Sequence, residues 1–178
     1  GENGAVDKGG GICTDSSVLM RNTSINNNSS RNGGGLYIGN TATVHMWMGS
    51  YINNNYAYNN GGGVYIGEKA NFLLTDNNIY QNNCAKNGMG VYVRGKFQMF
   101  SIASVDESNE VYLTRQTYIS IIDRLLKPSG YVAVIRTTLT DPGTIIAQVE
   151  YSTDAQSELY YVGDAVAELN NQNCVKKF

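Results

Sequence analysis

Along residues 1–113, apolar side chains recur at every second position in runs of a few residues, not at the three-to-four spacing of a helix. Ile12-Cys13-Thr14, Leu36-Tyr37-Ile38, Val64-Tyr65-Ile66, Val91-Tyr92-Val93 and Val111-Tyr112-Leu113 are five versions of one such run. A second set comprises Val18 and Met20, then Val44, Met46 and Met48, then Phe72 and Leu74, then Phe97 and Met99. Short period-two alternation predicts half-buried β-strands. The punctuation between runs repeats too. Glycine triplets stand at Gly9-Gly10-Gly11, Gly33-Gly34-Gly35 and Gly61-Gly62-Gly63, with a near-copy at Gly88-Met89-Gly90, at spacings of 24, 28 and 27 residues. Ile-x-x-Asn precedes three of these clusters, at Ile25/Asn28, Ile52/Asn55 and Ile79/Asn82.

A unit of about 27 residues with three short strands cannot bury its own apolar face, so like units must stack. The pattern predicts an all-β fold, a parallel β-helix (β-solenoid), with three short strands per coil and coils about 4.8 Å apart. Stacking makes columns. Ile12, Leu36, Val64, Val91 and Val111 are expected to point inward, with Thr14, Ile38, Ile66, Val93 and Leu113 beside them. Cys13, Tyr37, Tyr65, Tyr92 and Tyr112 are expected to form an outer column. Asn28, Asn55 and Asn82 are expected to form an amide ladder at a turn, and the glycines to mark corners of positive φ.

Asn3, Asn55 and Asn82 each lie six residues before a glycine cluster, so the chain is expected to begin inside a coil of a longer solenoid. After about Tyr118 the punctuation stops. Tyr118–Ile122, Tyr131–Ile135, Thr144–Val149 and Leu159–Val162 read as strands, with turns at Pro128-Ser129-Gly130 and Asp141-Pro142-Gly143. The expected division is therefore 1–113 for the repeat coils and 114–178 for degenerate terminal coils or a small β cap that hides the last strand edge.

Composition follows the same line. Of 20 Gly, 17 precede residue 110, as do 19 of 22 Asn. Clustered glycine excludes collagen, and the absence of any apolar run of 18 residues excludes a helical membrane span. Thirteen basic against 15 acidic residues leave no basic stripe for nucleic acid. Cys13, Cys84 and Cys174 are an odd count without metal-ligand spacing, so at least one thiol is expected free or paired with another chain, and a buried structural thiol is the plain reading of each.

Gly-Gly-Gly-Val-Tyr-Ile, with Ile-x-x-Asn-x-Ala-x-Asn before it, resembles the repeats of chlamydial polymorphic outer-membrane proteins, autotransporter passengers with right-handed parallel β-helix regions. Those repeats carry Phe-x-x-Asn where this chain has Ile-x-x-Asn. The resemblance implies a right-handed parallel β-helix in a secreted or bacterial cell-surface protein serving adhesion or surface structure. It implies partners among host or matrix proteins and glycans, and self-association along or beside the axis. No translocator barrel accompanies these residues.

The same coil hosts polysaccharide lyases and hydrolases, so an enzyme must be argued from a site. A lyase would need aligned carboxylates to hold Ca²⁺, and a hydrolase two facing carboxylates. Glu2, Asp7, Asp15, Glu68 and Asp76 do not share a repeat position. The expectation is a non-enzymatic protein without metal or cofactor. The alternatives are a fragment of a polysaccharide-active enzyme whose catalytic coils lie elsewhere, or a filament subunit. Asp106, Glu107, Glu110 and Asp123 are expected on a solvated surface. The candidate binding surface is the outer column Tyr37, Tyr65, Tyr92 and Tyr112, together with Trp47, which stands outward beside His45. Outward tyrosine is also what sheet packing alone favours.

Overall fold

A computed structural model describes residues 6–76, 78–79, 83–125, 131–137, 144–150, 158–161, 166–170 and 175–177. It is a parallel β-solenoid of about four turns, with about 26 residues per turn. The first large sheet stacks Ile12–Thr14, Leu36–Ile38, Val64–Ile66, Val91–Val93, Glu110–Leu113 and Tyr131–Thr137. The second stacks Val18–Arg21, Thr43–Trp47, Asn71–Thr75, Lys96–Ser101, Ile119–Leu125 and Thr144–Glu150. The third holds Ser24–Asn26, Tyr51–Asn53, Asn78–Ile79 and Ser104–Val105.

Register follows the sequence columns. Ile12 pairs with Leu36, Leu36 with Val64, Val64 with Val91 and Val91 with Val111, and the column continues to Ile135. From the second sheet Val44, Phe72, Phe97 and Ile119 point into the same core, and the Phe72 and Phe97 rings stack at 5.6 Å. Ile25, Ile52, Ile79 and Val105 close it from the third sheet. Each inward row therefore buries apolar area only because an equivalent side chain lies one coil above and one below.

Several expectations change. Two adjacent coils carry a fourth short strand beside the three expected, Ser29–Asn32 paired with Tyr56–Asn60. Met48 continues the alternation of Val44 and Met46, which predicts an inward side chain, but Thr43–Trp47 ends before it. Its φ of 47° turns the chain, and the side chain is 40% exposed. Asn22, Asp76 and Ser101 turn the same corner in other coils with φ of 48°, 54° and 60°. Asn82 lies outside the described residues, and the ladder position in its coil belongs to Asn83. Beyond the repeats, the two large sheets are extended by antiparallel strands, Val166–Asn170 and Val175–Lys177 on one and Glu158–Tyr161 on the other. The proposed turns at 128–130 and 141–143 lie outside the described residues.

The glycines divide by cause. Only the first of each cluster has positive φ, as at Gly33 (66°) and Gly61 (68°). The second lies under the next coil. A Cβ on Gly62 would stand 2.5 Å from the Met89 carbonyl oxygen and 2.6 Å from that of Cys84. Met89 takes the second place in the last cluster, where the following coil carries Asn109-Glu110 in place of a glycine corner.

The amide ladder runs Asn28, Asn55, Asn83, Asn109, at separations of 27, 28 and 26 residues. Each Asn backbone N–H donates to the next side-chain carbonyl at 3.0, 3.0 and 3.2 Å. Asn55 Nδ2 also donates to Ile25 O and Asn83 Oδ1 at 2.9 and 3.1 Å, and Asn55 is 1% exposed. The left-handed residue is the one before the rung, Asn27 (56°) and Asn54 (53°). A second, half-buried row, Asn32, Asn60 and Asn87, directly precedes the first glycines and links through amides at 3.1 and 2.9 Å.

Replacing Asn55 with Ala orphans buried partners in two coils and is expected to cost about 3 kcal/mol in urea unfolding. Gly62→Ala is expected to cost a similar amount or more through backbone overlap, whereas Met89→Ala at the equivalent place should cost less than about 1 kcal/mol. Equal losses at Gly62 and Met89 would refute the close-approach account.

Candidate functional site

The outer column is built by the same register that builds the core. Cys13 pairs with Tyr37, Tyr37 with Tyr65, Tyr65 with Tyr92 and Tyr92 with Tyr112, and the next rung is Arg136. The tyrosine rings stack nearly parallel, at centroid distances of 4.8, 5.4 and 5.3 Å and interplanar angles of 6°, 19° and 12°. Rings stacked along the axis cover one another's faces. Tyr65 is 8% exposed, the other three are half-buried, and Lys8 lies 5.0 Å from the Tyr37 ring centroid. The stacking itself thus contributes to stability, roughly 0.5–1.5 kcal/mol per pair. The Tyr92 hydroxyl is held above the ordinary tyrosine pKa, first by burial and then by Tyr65 and Tyr112, with Arg94 opposing.

Trp47 is not part of this column. It stands on the second sheet, half-buried, with the His45 ring at 5.8 Å and the Arg21 guanidinium at 5.7 Å. His45 Nε2 lies 3.1 Å from Thr75 Oγ1. Cys13 and Cys84 are exposed free thiols, not buried ones, because each occupies an outward rung. Cys174 lies outside the described residues. Glu110, expected on a solvated surface, is 4% exposed. Its Oε1 accepts from the Gly88 N–H at 3.0 Å and its Oε2 pairs with Arg136 Nε at 3.0 Å. In earlier coils that glycine N–H donates to a backbone carbonyl, as Gly61 N does to Asn87 O. Asp106 is half-buried and turns a loop, accepting from Ser108 N at 3.0 Å, and the Asp123 side chain lies outside the described residues.

One concave feature comes from a break in the repeat. Two residues, Arg94 and Gly95, join Val91–Val93 to Lys96–Ser101, whereas residues 67–70 and 114–118 make the same connection in the coils on either side. The shortened corner recedes between its neighbours and leaves a depression of about 290 Å³, lined by Glu68, Arg94, Gly95, Lys96, Gln116, Thr117 and Tyr118. Arg94 donates to Tyr65 Oη at 3.3 Å and pairs with Glu68. That hydroxyl contact is the main cause raising the Arg94 pKa. Lys96 pairs with Glu150 at 3.2 Å, and Ser120 Oγ donates to Glu150 at 2.5 Å, which chiefly holds that carboxyl below its ordinary range. A reading by columns passes over these residues, and unequal corner lengths are the signal that marks them. Among the described residues, no group of three or more His, Cys, Asp or Glu side chains could hold a metal ion, and no helix is long and apolar enough to cross a membrane. No family model matches the sequence, and no curated protein or solved structure matches it.

Tyr65→Ala removes two stacked neighbours and is expected to lower unfolding free energy by about 2 kcal/mol, while Tyr65→Phe keeps the stack and should cost under about 1 kcal/mol. The raised Tyr92 pKa has a signed consequence. The folded state holds this proton after the unfolded chain has released it, so stability is present below the ordinary tyrosine range near 10 and falls as pH rises beyond it. The fall measured by thermal unfolding should be smaller in Tyr92→Phe.

Proposed function

We propose that this chain is a non-catalytic β-helical segment of a secreted or cell-surface bacterial protein, serving adhesion or surface structure. The observation that carries the reading is where the repeating side chains are directed. The inner asparagine rungs bond to equivalent rungs, the tyrosines stack on tyrosines, and the glycine corners lie against glycine corners. A chain that directs its periodic chemistry along its own axis gains stiffness and a regular outer surface. That suits a spacer that holds contact surfaces away from an anchor. The resemblance of Gly-Gly-Gly-Val-Tyr-Ile to surface-protein repeats supports the same reading, and a host or matrix protein or glycan is the partner it favours.

An antibody to the chain should label intact, unpermeabilised native cells, and mild surface proteolysis should remove the label. Beads carrying the folded chain should bind extracellular matrix or host cells more than beads carrying the heat-unfolded chain. Label that appears only after permeabilisation, or turnover of a polysaccharide by the purified chain, would overturn the proposal.

A further inference from the structure

The depression at Gly95 differs from the periodic columns in how its polar groups are arranged. Along the amide ladder and the tyrosine stack like meets like. Here three consecutive coils contribute unlike groups to one concavity: a carboxylate from Glu68, a guanidinium and an ammonium from Arg94 and Lys96, and an amide, a hydroxyl and a phenol from Gln116, Thr117 and Tyr118. Gly95 lets the two-residue corner lie close on the preceding coil, where a Cβ would overlap the Gly67 and Ala70 carbonyl oxygens.

The lining is also held in place. Tyr65 Oη and Glu68 fix Arg94, and Glu150, itself bonded to Ser120, fixes Lys96. Thr117 Oγ1 donates to Thr114 O at 2.9 Å, and Gln116, at φ 65°, turns the loop that carries the far wall. Groups fixed before a ligand arrives lose less freedom on binding it.

The charges select the class of ligand. The lining holds two cations and one carboxylate, and Glu150 reaches Lys96 from outside it, so each cation is already paired and an anion would have to compete with Glu68 and Glu150. A ligand whose groups both donate and accept meets no such competition, because its hydroxyls can give to the carboxylates and take from the guanidinium, ammonium and amide. Tyr118 lines the far side, and the volume lies just below the ligand-site range of about 300–1,000 Å³. We propose that this depression is a binding subsite for one residue of an uncharged saccharide, held by Glu68, Arg94, Lys96 and Gln116 against Tyr118. The biological setting rests on the surface reading above, whereas the binding itself does not.

Methyl glycosides of glucose, galactose, mannose and glucuronic acid, with inorganic phosphate beside them, should be titrated into the ¹⁵N-labelled full chain while amide shifts are followed. At least one neutral glycoside is expected to give saturable shifts confined to Gly95, Gln116, Thr117 and Tyr118. Arg94→Gln and Gln116→Ala, both surface changes, should weaken that binding about tenfold with core amide dispersion unchanged. Tyr58→Ala, on the fourth sheet, should leave it unaltered. Shifts with phosphate or the glucuronide alone would make this an ion site and refute the proposal. So would the absence of shifts with every glycoside, or neutral-glycoside binding that survives Arg94→Gln. Surface labelling of cells stands or falls separately, so loss of the subsite and loss of the surface reading are distinguishable.

Discussion

In-register hydrogen bonding of one coil to the next is the constraint on which every other feature rests. Parallel pairing at this spacing places each side chain beside its equivalent, so a residue type is admissible at a position only if it tolerates a copy of itself above and below. Branched aliphatics satisfy that rule inward and tyrosines outward. Amides satisfy it at the turn because they donate and accept at once. The glycine corners satisfy it by having no side chain where two backbones come closest, and alanine would fail there.

That rule is also why so much of the fold can be read from residues alone. Ile12 to Ile135 and Cys13 to Tyr112 line up because stacked positions must resemble one another, and resemblance is visible in a sequence. What escaped was decided by single backbone angles or single insertions. Met48 continues the alternation of Val44 and Met46 and is turned out only because the chain takes a left-handed step there. The third ladder rung is Asn83 because the backbone decides which asparagine reaches Asn55, and motif spacing does not. Ser29–Asn32 and Tyr56–Asn60 carry too little apolar alternation to announce a strand.

The tyrosine column and the depression represent two different uses of one scaffold. Periodic positions are occupied by mutual contact, and the ring faces that would make an aromatic platform lie against each other. Unlike polar groups gather where periodicity lapses, at a corner two residues long between longer ones. Such a lapse was legible only as an irregularity in linker length. This explains why the columns could be named from the sequence and the concavity could not.

Glu110 marks where the corner column ends. Its side chain supplies the acceptor that the backbone of a further glycine corner would have supplied, and Arg136 neutralises the buried charge from beyond. Among the glycine corners only that of Gly88 touches Glu110, so the change from glycine to carboxylate is confined to one junction between coils, while both large sheets run past it to Tyr131–Thr137 and Thr144–Glu150. Ending one column therefore does not end the stack, and the chemistry of a corner can be rewritten without disturbing the pairing that carries the fold.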